Sequence, residues 1–357
     1  MPGLTRYAWG GGRSTVLSNR LSFCLIERYE AKETPVKTFH RLALCATLAL
    51  HGALAAAQAG FPTQPIRIVV PFPPAGGTDV LTRLVVNEIT AKDTRWNFVI
   101  DNKPGAGGNI GLDAVAKARK DGYTFGAGQT ANLAINPALY SRMPFDAAKD
   151  FAPVVLLASQ PVVLVVRADS AIHTLADLKT QSKSRQLTMA SAGTGTVGHV
   201  AGEMFARRAG IQVMHVPYKG AGPAITDMLG GQTDIYFATP PSVISMVKAG
   251  KLRAVAVTSG KRIEVLPDVP TVAESGYPGF VAEDWKALVA PAGTPAEAVD
   301  ALNAVANAAL KRPDVVTRLR DEGSEARGGT AAELGTFMKT EQARWGTAVR
   351  ESGARVD

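Results

Sequence analysis

At 357 residues and a formal net charge of +8, the chain is too long for one small domain and has room for a sizeable core. Its 46% hydrophobic, 20% charged and 6% aromatic residues exclude a disordered chain, and no apolar run reaches the ~20 residues of a membrane-spanning helix. Two cysteines exclude a disulfide scaffold and a cysteine-rich zinc module.

The N-terminal stretch reads as a leader. Lys37, His40 and Arg41 precede an apolar run, Leu42 to Ala57, which ends in Ala57-Gln58-Ala59. A positive flank, a short apolar core and an A-x-A site are the parts of a secretory signal peptide. His51-Gly52 interrupts the run, which argues against an anchor. Cleavage after Ala59 would start the mature chain at Gly60 or Phe61 and remove both Cys24 and Cys45, leaving no thiol for catalysis or disulfides. Cys45 follows the bulky Leu44 and sits early in the run, so lipid attachment there is not expected. Residues 1–35 are long and charged for a leader, which places the expected start at Val36 and the signal peptide at about 36–59. Residues 1–59 hold seven Lys/Arg against three Asp/Glu, so half of the +8 resides there. The modest remainder shows no basic run interleaved with aromatics, which speaks against nucleic acid and suits a small anionic ligand.

Beyond the leader, apolar runs alternate with helical patterns. The predicted strands are Ile66–Val70, Phe98–Ile100, Tyr123–Phe125, Val154–Ala158 with Val162–Val166, Leu187–Ala190, Met214–Val216, Ile235–Phe237 and Ala254–Val257. That alternation predicts α/β lobes with parallel sheets. The C-terminal part reads as all helix. Thr294-Pro295-Ala296-Glu297 and Thr330-Ala331-Ala332-Glu333 resemble capping boxes. Behind them, Val299, Leu302, Val305 and Ala309, then Leu334, Phe337, Met338 and Trp345, recur at core-facing helical spacing. No flexible linker divides the halves, so two lobes joined by crossing strands are expected, at Val154–Val166 and Trp285–Ala290. The expected division is residues 61–160 as the first part of one lobe, 161–284 as the second lobe, and 285–357 as the return to the first.

Chemistry points to three strand-to-helix turns. They are Pro71-Phe72-Pro73-Pro74-Ala75-Gly76-Gly77-Thr78-Asp79, Gly126-Ala127-Gly128-Gln129-Thr130, and Ser191-Ala192-Gly193-Thr194-Gly195-Thr196-Val197-Gly198-His199. Glycine admits close backbone approach, helix N-termini offer unpaired N–H groups, and Ser/Thr hydroxyls add donors. Together these turns would line a cleft for carboxylate or phosphate. Asp79 in a first turn is read chiefly as a dipole partner. His199 is equally a ligand donor or a helix-terminal packing residue, and Lys219 is either a cleft charge or a solvated lysine.

Other classes fall short. Gly193-x-Gly195-x-x-Gly198 has dinucleotide spacing, but the acid expected about 20 residues on is replaced by Met214-His215-Val216-Pro217-Tyr218-Lys219. No phosphate-loop motif exists. Ser191 lacks the preceding glycine of a nucleophile elbow, since Met189 stands there. His173, His199 and His215 are not at metal-ligand spacing. No cofactor, metal or catalytic residue is therefore expected.

Ordered motifs along the chain resemble the Bug/TctC family, the extracytoplasmic solute receptors of tripartite tricarboxylate transporters. They include Pro65-Ile66-Arg67-Ile68-Val69-Val70-Pro71-Phe72, Asn102-Lys103-Pro104-Gly105-Ala106-Gly107-Gly108-Asn109-Ile110-Gly111 and Asp121-Gly122-Tyr123-Thr124. Further along are Ala192-Gly193-Thr194-Gly195-Thr196 with His199, Val216-Pro217-Tyr218-Lys219-Gly220, Leu266-Pro267-Asp268-Val269-Pro270-Thr271 and Ala290-Pro291-Ala292-Gly293-Thr294-Pro295. The resemblance covers essentially all of residues 61–350.

It implies a type 2 periplasmic-binding-protein fold, two α/β lobes closing on a small carboxylate such as a di- or tricarboxylate, an amino acid or a related organic acid. It implies a periplasmic protein that works with membrane permease subunits or a sensor kinase; a monomer is expected, although the sequence itself is silent on oligomeric state. The ligand residues it implies are Phe72, Pro73, Ala75, Gly76, Gly77, Thr78 and Asp79 in the first loop, with Gln129 and Thr130. In the second half they are Ser191, Gly193, Thr194, Gly195, Thr196 and His199, then Tyr218, Lys219 and Gly220. Two departures bear on the ligand. Pro74 removes a donor from the first loop, and Ala238-Thr239-Pro240 lacks the Asp or Asn that many members carry after that strand. The Lys92–Asn97 stretch also lacks the family's usual Gly-Gln-Pro turn, with no expected effect on function. Two alternatives stay open: a periplasmic hydrolase using Ser191 and His199, and a sensor-linked receptor without a transport role. A start at Val36 predicts that mass spectrometry of whole cells finds no peptide from Leu21–Arg28; finding one would place the start upstream.

Overall fold

In the computed structural model, residues 60–356 are described. The expectations for residues 1–59, including the signal peptide, Val36, Cys24 and Cys45, lie outside the described residues.

The first apolar run forms β1 (Ile66–Val70), followed by α1 (Gly77–Lys92) and β2 (Phe98–Asn102). Next come α2 (Asn109–Ala116) and β3 (Thr124–Gln129), and a π-helical turn at Ala131–Ile135 leads into the single turn α3 (Asn136–Leu139). The chain then runs through β4 (Phe151–Pro161) and, after Val162 alone, β5 (Val163–Arg167). The second set comprises α4 (Leu175–Gln181), β6 (Leu187–Ser191), α5 (Val197–Ala209), β7 (Val213–Pro217) and α6 (Ala221–Leu229). It continues with β8 (Ile235–Ala238), α7 (Pro240–Lys248) and β9 (Leu252–Val257). The return is β10 (Glu283–Pro291), α8 (Ala296–Leu310), α9 (Pro313–Asp321), β11 (Glu325–Ala326) and α10 (Ala331–Ser352).

These strands make two sheets, ordered β11-β4-β10-β3-β1-β2 and β7-β6-β8-β5-β9. The result is the two-lobed α/β architecture expected from the sequence. The strands cross directly from one sheet to the other, at β4–β5 and again in the passage from β9 to β10.

Three local expectations need correction. The sheets are mixed rather than parallel: β10 runs antiparallel to β3 and β4, and β5 antiparallel to β8 and β9. A strand that arrives from the other lobe has no helical crossover to turn it round, so it enters from the opposite end. The C-terminal region is not all helix, because β11 pairs with β4 at Glu325↔Ser159 and Ala326↔Ala158. The first capping box does not form. Thr294 spends its hydroxyl backwards on the Pro291 carbonyl at 2.8 Å, and Pro295 takes the N-cap position without a side-chain cap. The second box forms as read, with Glu333 N–H on Thr330 Oγ1 at 3.1 Å and Thr330 N–H on Glu333 Oε2 at 2.7 Å.

The predicted helical stripes face the core. Val299, Leu302 and Ala309 are buried in the cluster shared with β4 and α1, with Val305 packed at the edge. Leu334, Met338 and Trp345 join the cluster that contains Trp285. Each fully buried aliphatic side chain of this kind contributes roughly 1.5–3 kcal/mol. One polar group is set into this packing. Glu341 accepts hydrogen bonds from Trp285 Nε1 at 2.9 Å and Trp345 Nε1 at 3.1 Å, and Arg344 closes on its other oxygen at 2.9 Å. It clamps α10 onto β10. Glu341→Leu would orphan two buried indole donors and is expected to cost about 2–4 kcal/mol, lowering the thermal midpoint by several degrees. Glu341→Gln keeps an acceptor and should cost less than half as much; equal losses would mean the clamp contributes only packing.

Candidate functional site

The parallel strands of the first sheet, β1 and β3, end at Val70 and Gln129. Antiparallel β10 begins level with them, pairing Lys286 with Gln129. Ligands of open α/β sheets bind outside such carboxyl ends. Here the ends face the corresponding edge of the second lobe across a cavity of about 50 Å³.

Four helices begin at this cavity. Gly76, Gly77 and Thr78 of α1, Thr196, Val197 and Gly198 of α5, Gly220 and Ala221 of α6, and Thr239 before α7 all line it. The N-caps of α1 and α6 are Gly76 and Gly220, which supply no side-chain cap, so first-turn N–H groups there are left for a ligand. At α5, Thr196 Oγ1 accepts the N–H of His199 at 3.4 Å. α7 differs, because Pro240 and Pro241 hold its first positions and lack N–H. It offers the Thr239 hydroxyl instead.

The first loop is sparing with donors. Pro74 has none, Ala75 N–H is bonded to Asp79 Oδ2 at 3.0 Å, and Gly76 N–H turns back to Pro73 O at 3.4 Å. Asp79 is 2% exposed and its carboxylate also takes Arg83 Nε at 2.9 Å and Asn102 Nδ2 at 2.9 Å. Burial pushes this carboxyl up, but the bonds from Arg83, Asn102 and Ala75 outweigh it and hold it below the usual carboxylate range. Asp79 therefore braces the loop, with Ala75 held at φ +62°, and neither residue lines the cavity. Thr78 donates its hydroxyl to Gln129 Oε1, which leaves the Gln129 amide hydrogens as donors. Thr130 lies just below, fully buried, its hydroxyl taken by Trp285 N–H at 2.8 Å.

The remaining sequence candidates separate into a mouth and a support. Gly193, Thr194, Tyr218 and Lys219 line an adjoining outer pocket with Phe72 and Pro73, and Lys219 is exposed there. Phe72 and Pro73 line both spaces. Tyr218 gives its hydroxyl to Asp227 at 2.8 Å, and burial first, then Asp227, pushes its phenol up to about 12. Ser191, Gly195 and His199 stand behind the lining. His199 is 2% exposed, accepts Gly195 N–H on Nδ1 at 3.2 Å and stacks on His215 with ring centroids 3.9 Å apart. Burial, then the neighbouring His215, pushes the His199 imidazole down to about 3, so it stays neutral and holds the loop. Fully buried Ser191 bonds His215 Nε2 at 2.7 Å, so the dyad imagined from Ser191 and His199 is not assembled.

Several lining residues escaped the sequence reading, among them the charged Asp284 and Lys286 at the start of β10. Both are buried, and Lys286 Nζ donates to Asp284 Oδ2. Two charges at i, i+2 running straight into the apolar stretch Ala287–Pro291 are the signal that could have found them.

Across the cavity the lobes touch. Tyr140 OH reaches Thr194 O at 3.5 Å, a Cβ on Gly220 would sit 2.8 Å from Pro73 Cγ, and one on Gly77 would sit 2.6 Å from Thr239 Oγ1.

A model of the family described as the tripartite tricarboxylate transporter family receptor, TctC, matches residues 82–354. The chain belongs to this family. A UPF0065 protein encoded between tcbD and tcbE in Pseudomonas sp. strain P51 is 40% identical over 288 residues, covering 80% of this chain and 85% of that protein. The structure of the periplasmic binding protein BugD superposes with a TM-score of 0.79 at 31% identity, over 83% of this chain and 99% of that one. The R. palustris protein Rpa4515, solved with adipate, gives 0.80 at 35% identity, over 83% of this chain and 100% of that one. Family and neighbours are periplasmic solute-binding receptors rather than enzymes.

In a receptor of this kind the close approach at Gly77 has a cost for any larger residue. Gly77→Ala should weaken uptake of whatever ligand stabilises the wild type by about tenfold, roughly 1.4 kcal/mol, with the ligand-free melting temperature little changed. Adding Thr239→Ala removes the clashing hydroxyl and should recover most of the affinity relative to Thr239→Ala alone. Full affinity in Gly77→Ala would show that the lobes do not meet there when ligand is bound.

Proposed function

We propose that this protein is a periplasmic receptor that captures a small carboxylate and presents it to the permease subunits of a tripartite tricarboxylate transporter. The carboxylate is a di- or tricarboxylate, an amino acid or a related organic acid. The observation that carries this reading is the cavity between the lobes, where the uncapped N-termini of α1 and α6 and the Thr196-capped start of α5 converge. A carboxylate placed there gains unpaired N–H donors and the positive ends of the helix dipoles. The adipate bound by the similar R. palustris protein supports a carboxylate as ligand. Gly76, Gly77, Thr78, Gln129, Thr196 and Gly220 contact the ligand, Phe72 and Pro73 close over it, and Tyr218 and Lys219 guide its entry. Asp79, Thr130, Ser191 and His199 position the loops. The lobes close around a bound ligand, and the permease reads the closed state. The chain acts as a monomer after cleavage of its signal peptide near Ala59.

Thermal-shift measurement on protein recovered from the periplasm and stripped of ligand tests this. The panel holds di- and tricarboxylates, acidic amino acids, aromatic acids, amides and NAD. A ligand at 100 times its dissociation constant adds roughly 2.7 kcal/mol, enough to raise the midpoint by several degrees. A selective shift with one group of carboxylates is expected, and loss of uptake of the same compound on deleting the gene assigns transport. A shift with NAD alone would overturn the reading, and normal uptake in the deletion strain would assign the receptor to sensing.

A further inference from the structure

We infer that the inner end of the cavity selects a neutral group that both donates and accepts hydrogen bonds, a carboxamide being the simplest, so that the receptor prefers carboxylates carrying such a group over plain dicarboxylates. The inference rests on the receptor reading above and narrows its ligand class.

Among the described residues, Asp284 and Lys286 are the only charged ones lining the cavity, and they are bonded to each other. They alternate with Trp285 on β10, whose ring lies on the opposite face against Phe337 and Glu341. The exposures of Asp284 and Lys286 are 2% and 1%, so both act in a poorly solvated setting. Burial pushes the Lys286 ammonium below its usual range, and Asp284 only partly restores it. Lys286 Nζ is already engaged by Asp284 Oδ2, so a second carboxylate would have to share it.

The hydrogen-bonding balance points the same way. Asp284 Oδ1 is buried and, among the described residues, has no partner. An orphaned buried polar atom is costly, and a ligand that satisfies it recovers that cost. A ligand carboxylate brought to Asp284 Oδ1 meets like charge and has no hydrogen to give. A carboxamide gives N–H to Asp284 Oδ1 and offers its carbonyl to Lys286 Nζ, while its distant carboxylate sits on the helix N-termini.

Isothermal titration calorimetry on the ligand-stripped protein compares three matched pairs: succinate with succinamate, glutarate with glutaramate, adipate with adipamate. At least one monoamide is expected to bind tenfold or more tightly than its diacid. Asp284→Asn leaves Lys286 uncompensated and should move that ratio at least tenfold toward the diacid. The double variant Asp284→Asn with Lys286→Gln removes both charges together and guards against a single variant that fails to fold; it should lose the monoamide preference. Diacids binding more tightly in every pair that binds, or a ratio unmoved in these variants, would overturn the inference and leave the receptor reading standing. Binding of neither member of any pair, in protein that melts cooperatively, would overturn the inference, while the carboxylate reading itself stands or falls on the wider thermal-shift panel.

Discussion

The pleat of β10 is the constraint on which the cleft depends. Side chains of a strand alternate between faces, so the run Asp284-Trp285-Lys286 sends its two charges to the cavity and its indole to the core. The indole is fixed by Glu341 on α10, and the Trp285 N–H is fixed by the Thr130 hydroxyl. The same strand pairs with β3 on one side and β4 on the other, which sets Lys286 level with Gln129 and Ala158. A register slip of one residue would put two charges into an apolar core and a tryptophan into the cleft. Burial of Trp285 and placement of the charge pair are thus one structural decision.

Around that floor, the walls are made of backbone ends rather than charged side chains. The N–H groups of α1, α5 and α6 point at one space, and the residues nearby determine how many are free. Glycine N-caps leave them open at α1 and α6, whereas Pro240 and Pro241 remove them at α7. Asp79 consumes the Ala75 donor to hold the first loop, and neutral His199 consumes the Gly195 donor to hold the third. Both loops are set before ligand arrives, which spares the ordering entropy that a loose site would lose on binding.

Much of this was legible in the sequence because it follows from local pattern. Fully buried strands show as apolar runs, and Ile66–Val70 or Leu187–Ala190 needed nothing more. The glycine-rich turns marked where backbone could approach a ligand, and Gly76, Gly77 and Thr196 do line the cavity, as does Gly220, which the family resemblance implied. What escaped depends on distance along the chain. Ser191 and His199 are close in sequence, yet His215, 24 residues on, is the one that reaches the serine, because β6 and β7 are neighbours in the sheet. The strand directions of β5 and β10 follow from how the chain crosses between lobes, which no short window contains. Thr294 has the letters of a cap, but a carbonyl three residues back competes successfully for its hydroxyl.

The charge pair was hidden for a related reason. A Lys or Asp in an exposed strand is unremarkable, and only the burial of both sets this pair apart. Removing two charges from water is expensive, and replacing such a pair with apolar residues is often neutral or stabilising. Packing alone therefore does not account for Asp284 and Lys286, still less with one carboxylate oxygen left without a partner. A group kept at a cost to the folded state, and facing a cavity, is most simply explained by what enters that cavity. On the receptor reading proposed above, the backbone donors would attract any small anion that fits, and among the described residues Asp284 and Lys286 are the only charges in the lining that could tell such anions apart.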